Sequence, residues 1–418
     1  MPLSATSRRR TRLAATGTAV VLALLAPATA ATAAPAAPSS PAATAAAHHT
    51  GLDREALART LEKLHDAGMP GAYSAVRDGA ASWQGASGVA DVKTGRPATP
   101  QLQHRIGSVT KTFTAIAVLQ QVGQGRIELD APIGRYLPDL VPGERGRKIT
   151  VRMLLNHTSG IADYAYALWK KPEDLETQRL HRWDPRELVR LALAAPPTGK
   201  PGEAHHYANT NYVLAGLLLQ KVTGQAPEKY ISDHVIRKAE LRHTYFPRSA
   251  RLTGPHSKMY EALFGLFDPP REFSVYDMSW AGTAGSLVST MDDLNRFYRS
   301  LLTGKLIGQA ELRQMKTTVP TGTPGMRYGL GLLSWDWPCG QFWGHNGMVP
   351  GSETMSLSSA DGSRQFSLGT NLTRYNELDA NGAPKLHPID YAKEDLYAQA
   401  LCSTTPKRTP ALPTPPTS

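Results

Sequence analysis

Cysteine is almost missing from this chain of 418 residues: only Cys339 and Cys402 occur, so at most one internal bridge can form. Long apolar runs are missing too. The run near the start, Leu13 to Leu25, falls short of the roughly 20 residues that a membrane-spanning helix needs. No basic stretch is interleaved with aromatics, so the footprint of a nucleic-acid-binding surface is absent. There is no G-x-S-x-G elbow and no H-E-x-x-H helix, and the pairs His48-His49 and His205-His206 lack the spacing and partners of a zinc site. No metal or organic cofactor is therefore expected. No period of roughly 20 to 50 residues recurs, which excludes a propeller or a solenoid.

What is present at the two ends is legible from composition. Arg8, Arg9, Arg10 and Arg12 precede the Leu13 to Leu25 run, and small residues follow at Ala28-Thr29-Ala30 and Ala31-Thr32-Ala33. This is the pattern of an export signal over residues 1–34, and Ser7-Arg8-Arg9 leaves twin-arginine export open. Ala, Pro and Ser dominate residues 35–50, the composition of a flexible linker. Residues 403–418 are rich in Pro and Thr without an apolar run, so a disordered tail is expected there and not a membrane anchor. The mature protein is thus expected to be secreted, outside the cell or against its wall, where an oxidising compartment would join Cys339 to Cys402. The formal charge of +11 includes the four leading arginines and Lys407 and Arg408 of the tail, which leaves an ordinary solvated surface between. A monomer is expected. Residues 51–402 remain for folding, more than one hydrophobic core usually organises.

Asp53 to Gly68 carries Leu57, Leu61 and Leu64 at helical spacing and stops at glycine, which predicts an amphipathic helix. Tyr73 to Arg77 and Ala81 to Gln84 flank Asp78-Gly79, a hairpin signal, and Gly88 to Asp91 continues the sheet. Thr110 to Val122 has Phe113, Ile116, Ala117 and Gln120 spaced for one buried face. Further helices are expected at Pro185 to Ala194, Tyr212 to Val222 and Thr290 to Leu302, the last with a capping Thr290. Strand-like runs return at Tyr328 to Leu333, Gln341 to His345, Glu353 to Ser358 and Gln365 to Thr370, before a final helix from Asp390 to Leu401. Strand-rich ends around a helical middle predict a discontinuous α/β (α+β) fold. One antiparallel sheet, built from about 51–107 and 300–402 and flanked by helices, would hold an all-helical insertion at about 108–299.

Ser108 is followed three residues later by Lys111 where strand gives way to helix, and this spacing places hydroxyl and amine on one helical face. A serine needs its proton removed to act as a nucleophile, and a desolvated lysine can be pushed towards its neutral form to do so. Tyr207-Ala208-Asn209 and His345-Asn346-Gly347 follow in order. These three elements occupy the places of S-x-x-K, S-D-N and K-T-G in β-lactamases and penicillin-binding proteins. The chain resembles the class C β-lactamase and serine D-alanyl-D-alanine carboxypeptidase family, especially its secreted actinobacterial members with Y-x-N and H-x-G variants. Family-like phrases at Gly125 to Asp130, Leu154 to Gly160 and Ala284 to Thr290 extend the resemblance over nearly the whole mature chain.

The resemblance implies a β-lactamase/transpeptidase-like catalytic domain over 51–402 and assigns roles by position. Ser108 would be acylated, with Lys111 and Tyr207 moving its proton and activating the deacylating water. Asn209, His345, Gly347 and Met348 would bind substrate. Asn209 would hold an amide carbonyl, His345 as imidazolium would supply positive field, and glycine at 347 would let substrate lie along the strand. The backbone N–H groups of Ser108 and Met348 would form the oxyanion hole. Trp280 would wall the pocket, and Arg327 is the candidate for binding a terminal carboxylate. The implied reaction is D-alanyl-D-alanine carboxypeptidation on peptidoglycan, with acylation by penicillins; a β-lactamase, a D-amino-acid peptidase, an esterase or a non-catalytic penicillin sensor are the alternatives. Asn346 and Met348 stand where carboxypeptidases of this type have hydroxyls, which weakens the carboxypeptidase expectation.

Overall fold

Two stretches of chain far apart in sequence meet in one sheet. The computed structural model describes residues 51–403; the segments expected to be an export signal and a linker, and all but the first residue of the expected tail, lie outside the described residues. The strands are β1 (Gly71–Asp78), β2 (Ala81–Asp91), β3 (Arg96–Pro97), β4 (Val319–Pro320), β5 (Met326–Tyr328), β6 (Leu333–Trp337), β7 (Gly340–Val349), β8 (Ser352–Ser359) and β9 (Arg364–Thr370). They lie in the order β3-β2-β1-β9-β8-β7-β6-β5-β4, antiparallel throughout. The join between the chain's two ends is β1 on β9, with Tyr73 opposite Gly369.

Helices cover both faces. On one lie α1 (Arg54–Asp66) and α6 (Pro388–Cys402), whose Leu57, Leu61, Leu64, Leu396 and Leu401 share a core with Phe366 and Leu368 of β9. Asp53 Oδ1 accepts from Ala56 N at 2.9 Å to start α1, and His387 and Asp390 cap α6 reciprocally. On the other side α2 (Thr110–Gly123), α3 (Pro185–Ala194) and α4 (Asn209–Thr223) pack together and α5 (Met291–Leu302) lies against β1, β8 and β9, all four sharing the larger core. Asn295 of α5 donates to Ala75 O at 2.9 Å and accepts from Ser367 Oγ at 2.8 Å, so this helix is pinned to β1 and β9. It therefore crosses the boundary expected near residue 299. The middle of the chain also carries short strands, Tyr260–Glu261 and Arg271–Glu272, which join Leu372–Thr373 in a small second sheet.

Two local expectations are corrected. The chain does not run as one strand from Tyr328 to Leu333. Residues 329–332 leave the sheet because Gly331, in the left-handed region at φ 72°, turns inward until its carbonyl accepts from Thr112 Oγ1 at 2.7 Å. Nor does α2 bury one face only: every residue from Thr110 to Leu119 is buried, so it is the central helix of the molecule. The Cys339–Cys402 disulfide is present, with Cα atoms 5.5 Å apart. It ties the turn between β6 and β7 to the end of α6. Six residues of strand, roughly 20 Å at about 3.4 Å each, separate it from His345, so it braces the far end of β7 and not the site.

Candidate active site

The geometry converges on the first turn of α2. Gly107 enters it at φ +52°, and a Cβ there would come within 2.7 Å of Met348 N. Gly347 is still tighter: its Cβ would stand 2.0 Å from Ile106 O and 2.7 Å from Ser108 N. The requirement for glycine at 347 thus comes from the serine turn lying directly on β7, a different reason from room for substrate. β6 makes room for this approach by ending its pairing at Leu333 opposite Gly344, leaving His345 to Val349 uncovered on that side.

Ser108 is buried, and Lys111 Nζ donates to its Oγ at 2.9 Å. The same ammonium donates to Asn209 Oδ1 at 2.7 Å and to Ala284 O at 2.9 Å. All three acceptors are neutral, and Lys111 has no exposed surface. Burial accordingly drags its pKa from 10.5 down to about 7, against the opposing pull of Asp163. A lysine in this state can take a proton from the adjacent hydroxyl near neutral pH.

Asp163 was missed at the level of sequence. Its Oδ2 accepts from Asn209 N and Nδ2, both at 2.9 Å, and its Oδ1 accepts from Ala165 N at 2.9 Å. This sets the flip of the Asn209 amide so that Oδ1, not Nδ2, faces Lys111. Burial raises the Asp163 carboxyl above its usual range, with the Asn209 donors opposing. Its only signal in sequence is its place just after the phrase Leu154 to Gly160, 46 residues before its partner.

Tyr207 stacks on the His157 ring with centroids 4.2 Å apart, and Lys111 Nζ lies 4.8 Å from the centre of the Tyr207 ring. His157, itself left-handed at φ 60°, clamps this loop: its carbonyl accepts from His206 N at 2.8 Å and its Nδ1 from Ala208 N at 3.2 Å. His345 differs from expectation. It is buried against Tyr328, whose hydroxyl lies 2.9 Å from Nε2, and burial, with Lys111 adding to the effect, lowers its pKa to about 3. A neutral imidazole supplies no positive field at physiological pH, so that part of the expectation fails. Arg327 fails as well: it is committed to Thr318, with Nε 2.8 Å from Oγ1, and does not line the cleft.

A cleft of about 830 Å³, partly open to solvent, leads from Ser108 between Asp163, Asn209 and Met348 to walls of Tyr166, Trp169, Leu175, Trp280 and Val349. Trp169 and Trp280 meet edge to face with centroids 4.5 Å apart, so Trp280 does wall the pocket. Such walls suit an apolar or aromatic group. Among the described residues no three His, Cys, Asp or Glu side chains converge as a metal site would require.

An antiparallel sheet with helices on both faces, and a serine–lysine pair buried where the two halves meet, define an active-serine hydrolase architecture. The chain belongs to the β-lactamase family, whose model, described as "Beta-lactamase", matches residues 57–369. It is a serine hydrolase of that family. A solved D-stereospecific amidohydrolase from Streptomyces sp. is 35% identical, with a TM-score of 0.74 over 84% of this chain and 99% of that one. Protein flp of Staphylococcus aureus is 32% identical over 51% of this chain, an alignment that spans only 43% of flp. The putative penicillin-binding protein PbpX of Bacillus subtilis is 25% identical over 75% of this chain and 74% of its own length.

Proposed function

We propose that this protein hydrolyses amides of D-amino acids with apolar side chains through an acyl-Ser108 intermediate. The observation that carries the reading is the 2.9 Å contact between Ser108 Oγ and a fully buried Lys111 at the foot of an aromatic-walled cleft. In the proposed cycle Lys111 accepts the Ser108 proton, Oγ bonds to the carbonyl carbon, and the oxyanion is held by Ser108 N and Met348 N. Tyr207, with Lys111, passes the proton to the departing amine, and the same pair activates water for deacylation. Asn209 holds Lys111 in place and keeps one amide N–H for substrate. The likeness to a D-stereospecific amidohydrolase supports the stereochemistry.

D-alanyl-D-alanine carboxypeptidation is the narrower reading, favoured by the likeness to PbpX and by the motif order. It needs a cation for the terminal carboxylate beside β7, where His345 is neutral and Arg327 is engaged elsewhere. Export to the cell wall, proposed from residues 1–34, fits either substrate. The test is release of ammonia from D- and L-phenylalaninamide and of D-alanine from a peptide ending in D-Ala-D-Ala, beside intact-mass analysis after benzylpenicillin. Turnover of the D-amide that vanishes in Ser108→Ala, with the fold intact, is expected. D-alanine release without amide turnover would move the assignment to the carboxypeptidase, and full activity in Ser108→Ala would remove the serine from the mechanism.

A further inference from the structure

Two cations, Lys171 and Arg374, line the cleft against a single carboxylate, Asp163. Arg374 is built in with unusual care. Its Nε and Nη2 donate to Glu261 Oε1 and Oε2 at 3.0 and 2.7 Å, a forked pair that fixes the plane of the guanidinium. Glu261 has no exposed surface and also accepts from Leu263 N at 2.8 Å and Thr373 Oγ1 at 2.7 Å, so its acceptor sites are filled. Nη1 is left over, with no protein acceptor recorded for it among the described residues. The backbone of Arg374 is left-handed at φ 48°, and its carbonyl is held by Phe264 N at 2.6 Å. Strain of this kind persists where surrounding contacts over-determine a residue, and it concentrates at ligand-binding positions.

Position adds to this. Thr373 Oγ1 accepts from Gly351 N at 2.8 Å, which ties Arg374's loop to the turn that follows β7. Met348, Val349 and Pro350 lead along the cleft from Ser108 towards that turn, whereas Tyr207 and His345 do not line it. The acyl part of a substrate would therefore fill the cleft while the leaving group departs towards Tyr207.

We propose that Arg374, oriented by Glu261 and assisted by Lys171, recognises a carboxylate on the acyl portion of the substrate, on the amino side of the scissile bond. From Met348 the chain reaches the Gly351 turn in three residues, a span of at most roughly 10 Å, so the anion belongs about two residues from the attacked carbonyl. This rests on the acyl-Ser108 reading above, and binding is therefore tested apart from turnover.

The probes are N-succinyl-D-phenylalaninamide and its neutral counterpart N-acetyl-D-phenylalaninamide, titrated by calorimetry into the Ser108→Ala protein. The succinyl compound is expected to bind about tenfold more tightly. In the same background, Glu261→Gln with Arg374→Gln neutralises both buried partners together, and should abolish the preference while leaving acetyl binding within about twofold. Should that pair fail to fold, Arg374→Lys keeps the charge beside Glu261 and loses the fork, and a clear fall in the preference is expected. Equal affinities, no binding of either probe, or a preference untouched by these variants overturns the inference. Hydrolysis of the acetyl compound by the unmodified enzyme reports separately on the acyl-serine reading.

Discussion

Replacing Asp163 with asparagine should move the acid limb of the pH–rate profile to lower pH. Lys111 is the base in the proposed cycle, so kcat/KM should rise as its ammonium deprotonates, with an inflexion near its lowered pKa of about 7. An unperturbed lysine is only roughly 0.03% neutral at pH 7, and this lowering raises that fraction by orders of magnitude. Asp163 opposes it, standing across a single carboxamide from Lys111: Nζ is 2.7 Å from Asn209 Oδ1, and Asn209 Nδ2 is 2.9 Å from Asp163 Oδ2. Over roughly 6 Å, at an effective dielectric of about 20, that attraction is worth close to 3 kcal/mol, or about two pKa units as an upper bound. Removing the negative charge disfavours the protonated amine, so the inflexion should fall by about one to two units. Asparagine preserves size and its one amide oxygen can still accept from Asn209, at the loss of the bond from Ala165 N, so the rate plateau above pH 8 should change less than the limb. The assay is initial-rate amide hydrolysis between pH 4 and 9. A limb that stays in place or moves upward would refute the assignment of Lys111 as the titrating base.

Gly347→Ala should lower activity at least about a hundredfold and cost roughly 1–3 kcal/mol of stability, because its Cβ would drive the serine turn off β7; urea denaturation beside kinetics checks both. Replacing Cys339 and Cys402 together with serine opens a bridge of sequence separation 63, worth about 4 kcal/mol by loop entropy. For a fold of roughly 350 residues this lowers Tm by about 6 °C, measurable by calorimetry, and activity should persist since the bridge is remote from Ser108. Acid should destabilise the fold early. His104, His205 and His345 are held neutral by burial, with pKa values lowered to about 4, 4 and 3. Between about pH 6.5 and 4 the unfolded chain binds more protons at these sites than the folded one, so urea midpoints should fall as pH falls through that window.

The order of motifs was legible in the sequence because each is local. Ser108 and Lys111 share a helical face by spacing alone, and Tyr207, Asn209, Gly347 and Met348 were picked out because the motifs that hold them resemble those of a known family. Periodicity and glycine placement likewise marked α1, the β1–β2 hairpin and α6 within a few residues. The single pair of cysteines left one possible bridge. Electrostatic state was not legible, since it depends on what surrounds a group in space. His345 reads as a substitute cation in the motif and becomes a neutral ring because the fold buries it and brings Lys111 near. The role of Gly347 reads as space for substrate until the approach of the Ile106–Ser108 backbone is seen. Asp163 and Arg374 carry no local pattern, and each acquires its setting from a partner about 50 to 110 residues away, Asn209 and Glu261. Motif spacing in the chain, read through the family resemblance, was enough to pick out Ser108, Lys111, Tyr207 and Asn209 as participants in the chemistry, but not Asp163 or Arg374. Their charge, orientation and company were decided by long-range packing, because burial and the distance to other charges exist only once the two halves of the chain have closed on each other.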